Sequence, residues 1–192
     1  MSDTKITYGL KKLAYAKITT GEDGKITYGT PKMMPGARAI SLSPVGEDKP
    51  VYADDVNYVT LTSNQGYDGD VTVLGIPETF LTDILGMTKD ENGAIVESEN
   101  DVKTAFALLG EFSSETKDKK RFVLYNCAAG RPDFSGKTKE ESPEETEYAI
   151  PLICSPASDT GNVKATIVGG AEENTAFDKW YDAVYLGQEA GV

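Results

Sequence analysis

The chain has 192 residues, 31 acidic and 19 basic side chains, a formal charge of −12 and no histidine. That length holds one domain with a core of ordinary size. The acidity argues against nucleic-acid binding, which needs Lys and Arg to displace phosphate counterions. Lack of histidine removes the commonest general base, the serine-triad base and the usual zinc ligand. No apolar run approaches bilayer length and no basic-then-apolar leader follows Met1, so a chain that folds in a cytoplasm is expected. The two cysteines, Cys127 and Cys154, fall in separate strand-like runs and read as buried thiols, with a pairing across a sheet left open.

In chain order, K-I-T-Y-G occurs at Lys5–Gly9 and again at Lys25–Gly29, with the turn signal TGEDGK between. Residues 1–34 therefore read as an N-terminal arm or hairpin that adds no obvious core. Ala37–Val45 (ARAISLSPV) reads as a strand, GEDKP as a polar loop, and Val51–Ser63 as one long strand. NQGYDGD is expected to turn the chain before a strand VTVLGI, and Pro77 opens a helix over 77–86. In that helix Phe80 stacks with Ile84 and Leu81 with Leu85, and Gly86 stops it.

Further strands are expected at Thr104–Phe112, Lys120–Ala129, Glu147–Ala157 and Asn162–Gly170. Tyr148, Ile150, Leu152 and Cys154 alternate as in a half-buried strand, and Pro151 marks an edge or a bulge. An acidic loop, KTKEESPEETE, lies between the second and third of these. Near the end, Thr175 and Asp178 suggest a capping box for a helix whose Phe177, Trp180, Tyr181 and Val184 share a face. The tally predicts a mainly β, antiparallel sandwich or partial barrel with one packed helix, extended arms and a short C-terminal helix. The expected organisation is a single domain, with the arm at 1–34, the sandwich at 35–170 and a helical tail at 171–192.

Candidate chemistry is thin. Asp54, Asp55, Asp68 and Asp70 could supply a glycosidase pair, but neighbours in a strand face opposite ways, which separates Asp54 from Asp55. Asp68 and Asp70 sit among glycines, where Asp favours turns. TKDENGAIVESE places Asp90, Asn92 and Glu99 at positions three, five and twelve of a calcium loop. Its first position is Thr88 instead of Asp, and Asn92-Gly93 is a turn signal in its own right. The sequence therefore calls for no metal or other cofactor. AAGRPDFSGKT has the wrong glycine spacing for a phosphate loop. Tyr8, Tyr15, Tyr28, Tyr52, Tyr58 and Tyr67 suit either a ligand groove or a protein interface, and interface is the preferred reading.

Several pieces in order, GLKKLAYA, MPGARAISLSP, YADDVNY, NQGYDGDVTV, IPETFLTDILG and DENGAIVE, followed by AFALLGEF, RFVLYNC and RPDFSGKT, closely resemble one family. It is the major tail protein of long-tailed, non-contractile phages and prophages of Gram-positive bacteria. The resemblance implies a non-enzymatic virion protein, assembled in the host cytoplasm, whose β-sandwich subunits form hexameric rings that stack into a hollow tail tube. The tube would form around a tape measure protein, meet a tail terminator and distal tail or baseplate proteins, and pass DNA without binding it specifically. Within that reading the arm, the loop residues Glu47, Asp48 and Lys49, and the tyrosines are subunit-contact candidates. Asp54, Asp55, Asp68 and Asp70 are candidates for lumen charge. The alternatives are a glycan- or protein-binding tail module acting through the tyrosines, and an acidic hydrolase using Asp68 or Asp70.

Overall fold

A computed structural model describes residues 7–22, 24–115, 118–136, 138, 145–169 and 174–187. The outermost termini and most of the acidic loop after Gly136, including Lys137, lie outside them. The described chain is mainly β, with thirteen strands and two short helices.

One antiparallel sheet carries the fold. Its order is β2 (Ile26–Tyr28), β1 (Thr7–Thr20), β10 (Phe106–Ser114), β11 (Lys119–Ala129), β12 (Tyr148–Ser155), β7 (Gly66–Val73) and β4 (Ala37–Val45). Strand β13 (Lys164–Gly169) also pairs with β11, and β3 (Lys32–Met33) with β1. The end strands β2 and β4 do not pair, so the sandwich does not close into a barrel.

The two halves of this sheet face each other. Leu13, Tyr15, Phe106, Leu108, Phe122 and Leu124 from one half share a core with Val71, Val73, Ile150, Leu152 and Cys154 from the other. Helix α1 (Glu78–Asp83) plugs that core with Phe80, whose ring meets Tyr15 and Phe106 edge-on at 5.1 and 5.5 Å. The expected helix over 77–86 is thus real but shorter. The alternation of Ile150, Leu152 and Cys154 into the core is as the sequence indicates.

The middle of β1, residues 13–16, and most of β10 and β11 are buried on both faces. Their alternate residues Ala14, Ala16, Ala107, Leu109 and Val123 form a second core under the C-terminal segment, with Trp180 and Val184. The alanines leave room for the large indole, whose Nε1 donates to the Phe122 carbonyl at 3.3 Å. Helix α2 (Thr175–Asp178) is one turn long and is capped by Asn174, whose side chain accepts from the amides of Ala176 and Phe177. The cap is thus Asn174, one residue before the expected Thr175, and with Phe177 at the third helical position no capping box forms.

Four expectations need correction. Residues 7–34 do add core: Leu13, Tyr15 and Met34 are buried, because β1 is an interior strand. Val51–Ser63 is not one strand but part of a hairpin, β5 (Asp48–Ala53) and β6 (Val56–Thr62), turning at Asp54-Asp55. Both turn residues have positive φ, +52° and +60°, the backbone of a two-residue hairpin turn that Asp tolerates better than most residues. Asp48 and Lys49 accordingly belong to a strand and not to a loop. Finally, Gly66 to Asp70 do not turn the chain; they lie in β7 between β12 and β4.

Candidate assembly surfaces

Among the described residues the β5–β6 hairpin pairs with no other strand, and every residue from 48 to 62 is exposed. Register sorts its faces. Lys49 lies opposite Leu61, Val51 opposite Val59, and Ala53 opposite Val56, so one face is an apolar ladder. Asp48, Pro50 and Tyr52 alternate onto the other face. Tyr58 sits at the bulge between the Val51–Val59 and Tyr52–Asn57 pairs and is 77% exposed. A free two-stranded hairpin is marginal in water, and an open apolar ladder of this kind marks a surface that gets covered. Sequence reasoning missed Val51, Val56, Val59 and Leu61 as surface residues, since a single long strand gave them no reason to be exposed.

The outward face of β4, β7 and β12 is the second surface. Ile40, Leu42, Val71, Ile150 and Leu152 point inward. Their neighbours Ser41 and Ser43, Asp68 and Asp70, and Pro151 and Ile153 therefore share the outer face, row by row: Ser41–Asp70–Pro151 and Ser43–Asp68–Ile153. These six side chains are small, neutral or acidic, with no basic group among them. Asp68 and Asp70, two apart in one strand, sit side by side on this face. Asp54 and Asp55 are remote from it in chain topology, at the hairpin tip.

The candidate tyrosines scatter. Tyr8, Tyr52 and Tyr58 are exposed, as are Glu47, Asp48 and Lys49. Tyr15 is fully buried and cannot be a surface contact; its hydroxyl donates to Asp83 at 3.1 Å, and burial raises its pKa. Asp83 also takes a 2.6 Å bond from Lys32. Burial pushes the Asp83 carboxyl up, but the Lys32 and Tyr15 bonds outweigh it and the net shift is down. Tyr28 packs beside Tyr125 and is pushed up to about 12, chiefly by burial. Tyr67 is half-buried, with the Lys164 ammonium bonded to its hydroxyl at 2.9 Å.

The calcium candidate resolves into a tight hairpin between β8 (Thr88–Lys89) and β9 (Ile95–Val96). One Asp90 oxygen accepts from the amides of Asn92 and Ala94, at 2.9 and 2.8 Å, and so is committed to the turn. Among the described residues no three His, Cys, Asp or Glu side chains cluster, and the Asp90 oxygen that a calcium loop would use is engaged by the turn's own amides.

A third feature had no sequence signal. Glu111 and Arg121 are register partners on β10 and β11, both buried, with Nε to Oε2 at 2.8 Å. The Arg121 guanidinium also donates to the Phe177 carbonyl and lies 3.8 Å over the Phe177 ring. This ties the C-terminal segment to the sheet.

No curated protein matches the chain. A family model described as phage tail tube protein matches residues 2–186, nearly its whole length. The fold is mainly β, as the sequence predicts, and the extent of the match shows that the chain belongs to the phage tail tube protein family.

Proposed function

We propose that this protein is the self-assembling subunit of the tail tube, forming hexameric rings that stack into a conduit for DNA. The observation that carries the reading is the β5–β6 hairpin, whose apolar ladder of Val51, Val56, Val59 and Leu61 has no cover among the described residues of its own chain. A second copy is the occupant that a tube family membership favours. Contacts that repeat head to tail along an axis give an open filament, and those that close give a ring.

The outer face of β4, β7 and β12 is our choice for the lumen. Its side chains are mostly small and none is basic, and Asp68 and Asp70, without a basic residue in their rows, repel phosphate so that duplex slides without sticking. Edge strand β4 is free to pair with a neighbouring subunit and so hide its backbone groups. Asp54 and Asp55 travel with the hairpin and lie at the subunit contact in this reading. Tape measure, terminator and distal tail proteins are the expected further partners in the virion.

The test is assembly of the wild type against a Val59→Glu/Leu61→Glu variant, by size exclusion and negative-stain microscopy over rising concentration. Wild type should give rings or tubes, with an initiator of tail-tip and tape measure proteins added where needed. The variant should melt like wild type, because both positions are exposed, and remain monomeric. Equal assembly of the two would remove the hairpin from the interface.

A further inference from the structure

The seam between the two halves of the sheet is narrow. β11 gives one edge to two partners in succession: Lys119–Leu124 pair with β13, and Asn126–Ala129 with β12. Only four register pairs hold β11 to β12, and through them the half containing β1 and β10 continues into β7 and β4. One of the four is Cys127 opposite Cys154. Both are buried free thiols, their sulfurs 3.1 Å apart, with the Cys127 S–H directed at the Cys154 sulfur.

Directly opposed residues of antiparallel strands have Cα atoms about 4.5–5.5 Å apart. That lies within the roughly 4.4–6.8 Å that a disulfide spans, so the bond requires no rearrangement of the backbone. We propose that Cys127 and Cys154 are a redox-controlled staple, reduced in the cell and closed to a cross-strand disulfide by a peroxide-class oxidant outside it. The chemistry of the pair favours one order of events. Burial pushes the Cys127 thiol up, while its hydrogen bond to Cys154 draws the Cys154 thiol down, which makes Cys154 the nucleophile.

The Cys154 thiolate attacks one peroxide oxygen, the O–O bond breaks, and Cys154 becomes a sulfenic acid with release of water. The Cys127 sulfur then attacks the Cys154 sulfur, the S–O bond breaks, and the departing hydroxide leaves as water with the Cys127 proton. Two thiols and one peroxide thus give one disulfide and two waters. Access to so buried a pair needs local opening of the seam, so a small oxidant is favoured over a bulky one. The cell-to-exterior timing rests on the tail-tube reading; the reactivity itself belongs to the folded monomer and does not.

The experiment treats purified, folded, full-length protein with hydrogen peroxide, then denatures it in iodoacetamide for intact mass and peptide mapping. Before treatment both cysteines should alkylate. After it neither should, the chain should be about 2 Da lighter than the reduced chain before alkylation, and the map should join the Cys127 and Cys154 peptides. The melting midpoint should rise by roughly 6–12 °C, from a closed loop of moderate length in a domain of this size, and fall back with dithiothreitol. Cys127→Ala should abolish the rise and leave oxygen adducts on Cys154. Full alkylation after treatment, or oxygen adducts on both cysteines in place of the link, would overturn the proposal. Because it needs no assembly, its failure is separable from failure of the tube reading.

Discussion

Removing the Arg121 guanidinium should release the C-terminal segment. Arg121 stands between buried Glu111 and the Phe177 carbonyl and ring. Arg121→Leu keeps apolar bulk but leaves the Glu111 carboxylate buried without its main partner, a loss worth about 3–5 kcal/mol. Lys12 remains 3.8 Å from the same oxygen, on a half-exposed side chain, and offsets part of that cost. The low end, about 3 kcal/mol, is therefore expected, or a midpoint lower by roughly 6–12 °C for a chain of this length. Trp180 is the only tryptophan and is 1% exposed, stacked on Tyr185 at 5.4 Å, so its emission reports the segment directly. Arg121→Leu should red-shift that emission in native buffer and lower the midpoint. The double variant Glu111→Leu/Arg121→Leu, with no charge left to strand, should recover most of the loss. A single variant with wild-type midpoint and wild-type emission would refute the idea that this ion pair holds the segment down.

Gly66→Ala should destabilise by more than about 2 kcal/mol in urea unfolding, because the residue has φ +107° and a Cβ would lie 1.8 Å from the Cys154 carbonyl oxygen. Asp83→Asn should cost about 1 kcal/mol at neutral pH, by weakening the bonds to Lys32 and Tyr15. Since the folded Asp83 pKa is lowered, that stability is present above its unfolded value of about 3.9 and is lost as pH falls through the folded one. Denaturation of wild type and variant from neutral pH to pH about 3 should therefore show the gap closing, and a constant gap would contradict it. Asp68→Lys/Asp70→Lys should leave the monomer folded and assembled tubes intact while making the tubes bind short duplex DNA in co-sedimentation. Wild-type tubes should leave the DNA in the supernatant, and equal retention would argue against the proposed lumen face.

What the sequence revealed follows from what periodicity can see. Ala37–Val45 was bounded as a strand to the residue, and the alternation in β12 pointed Ile150, Leu152 and Cys154 inward without ambiguity. Pro151 marks neither an edge strand nor a bulge: β12 lies between β11 and β7 without a register shift, and at the end of β11 the Pro151 carbonyl accepts from the Gly130 amide at 2.7 Å while the ring has no N–H to return the bond. The β5–β6 hairpin was hidden because Asp54-Asp55 lacks the glycine that usually announces such a turn, and apolar residues continue on both sides. Conversely, the glycines around Asp68 announced a turn that does not exist. Gly69 instead lets the β4 backbone come close, with Ser41 carbonyl oxygen where a side chain would go. Tyr15 was misjudged because the middle of β1 is buried on both faces, which aromatic content alone cannot report. The Glu111–Arg121 pair and the opposition of Cys127 to Cys154 depend on register between strands, which no single stretch of sequence contains.

The most direct measurement is a cryo-electron microscopy reconstruction of the assembled tube. The account predicts a hollow tube of stacked six-fold rings, with Val51, Val59 and Leu61 of each hairpin buried against a neighbouring copy and Asp68 and Asp70 lining the bore. Hairpins left in solvent, with Asp68 and Asp70 on the outer wall, would contradict it.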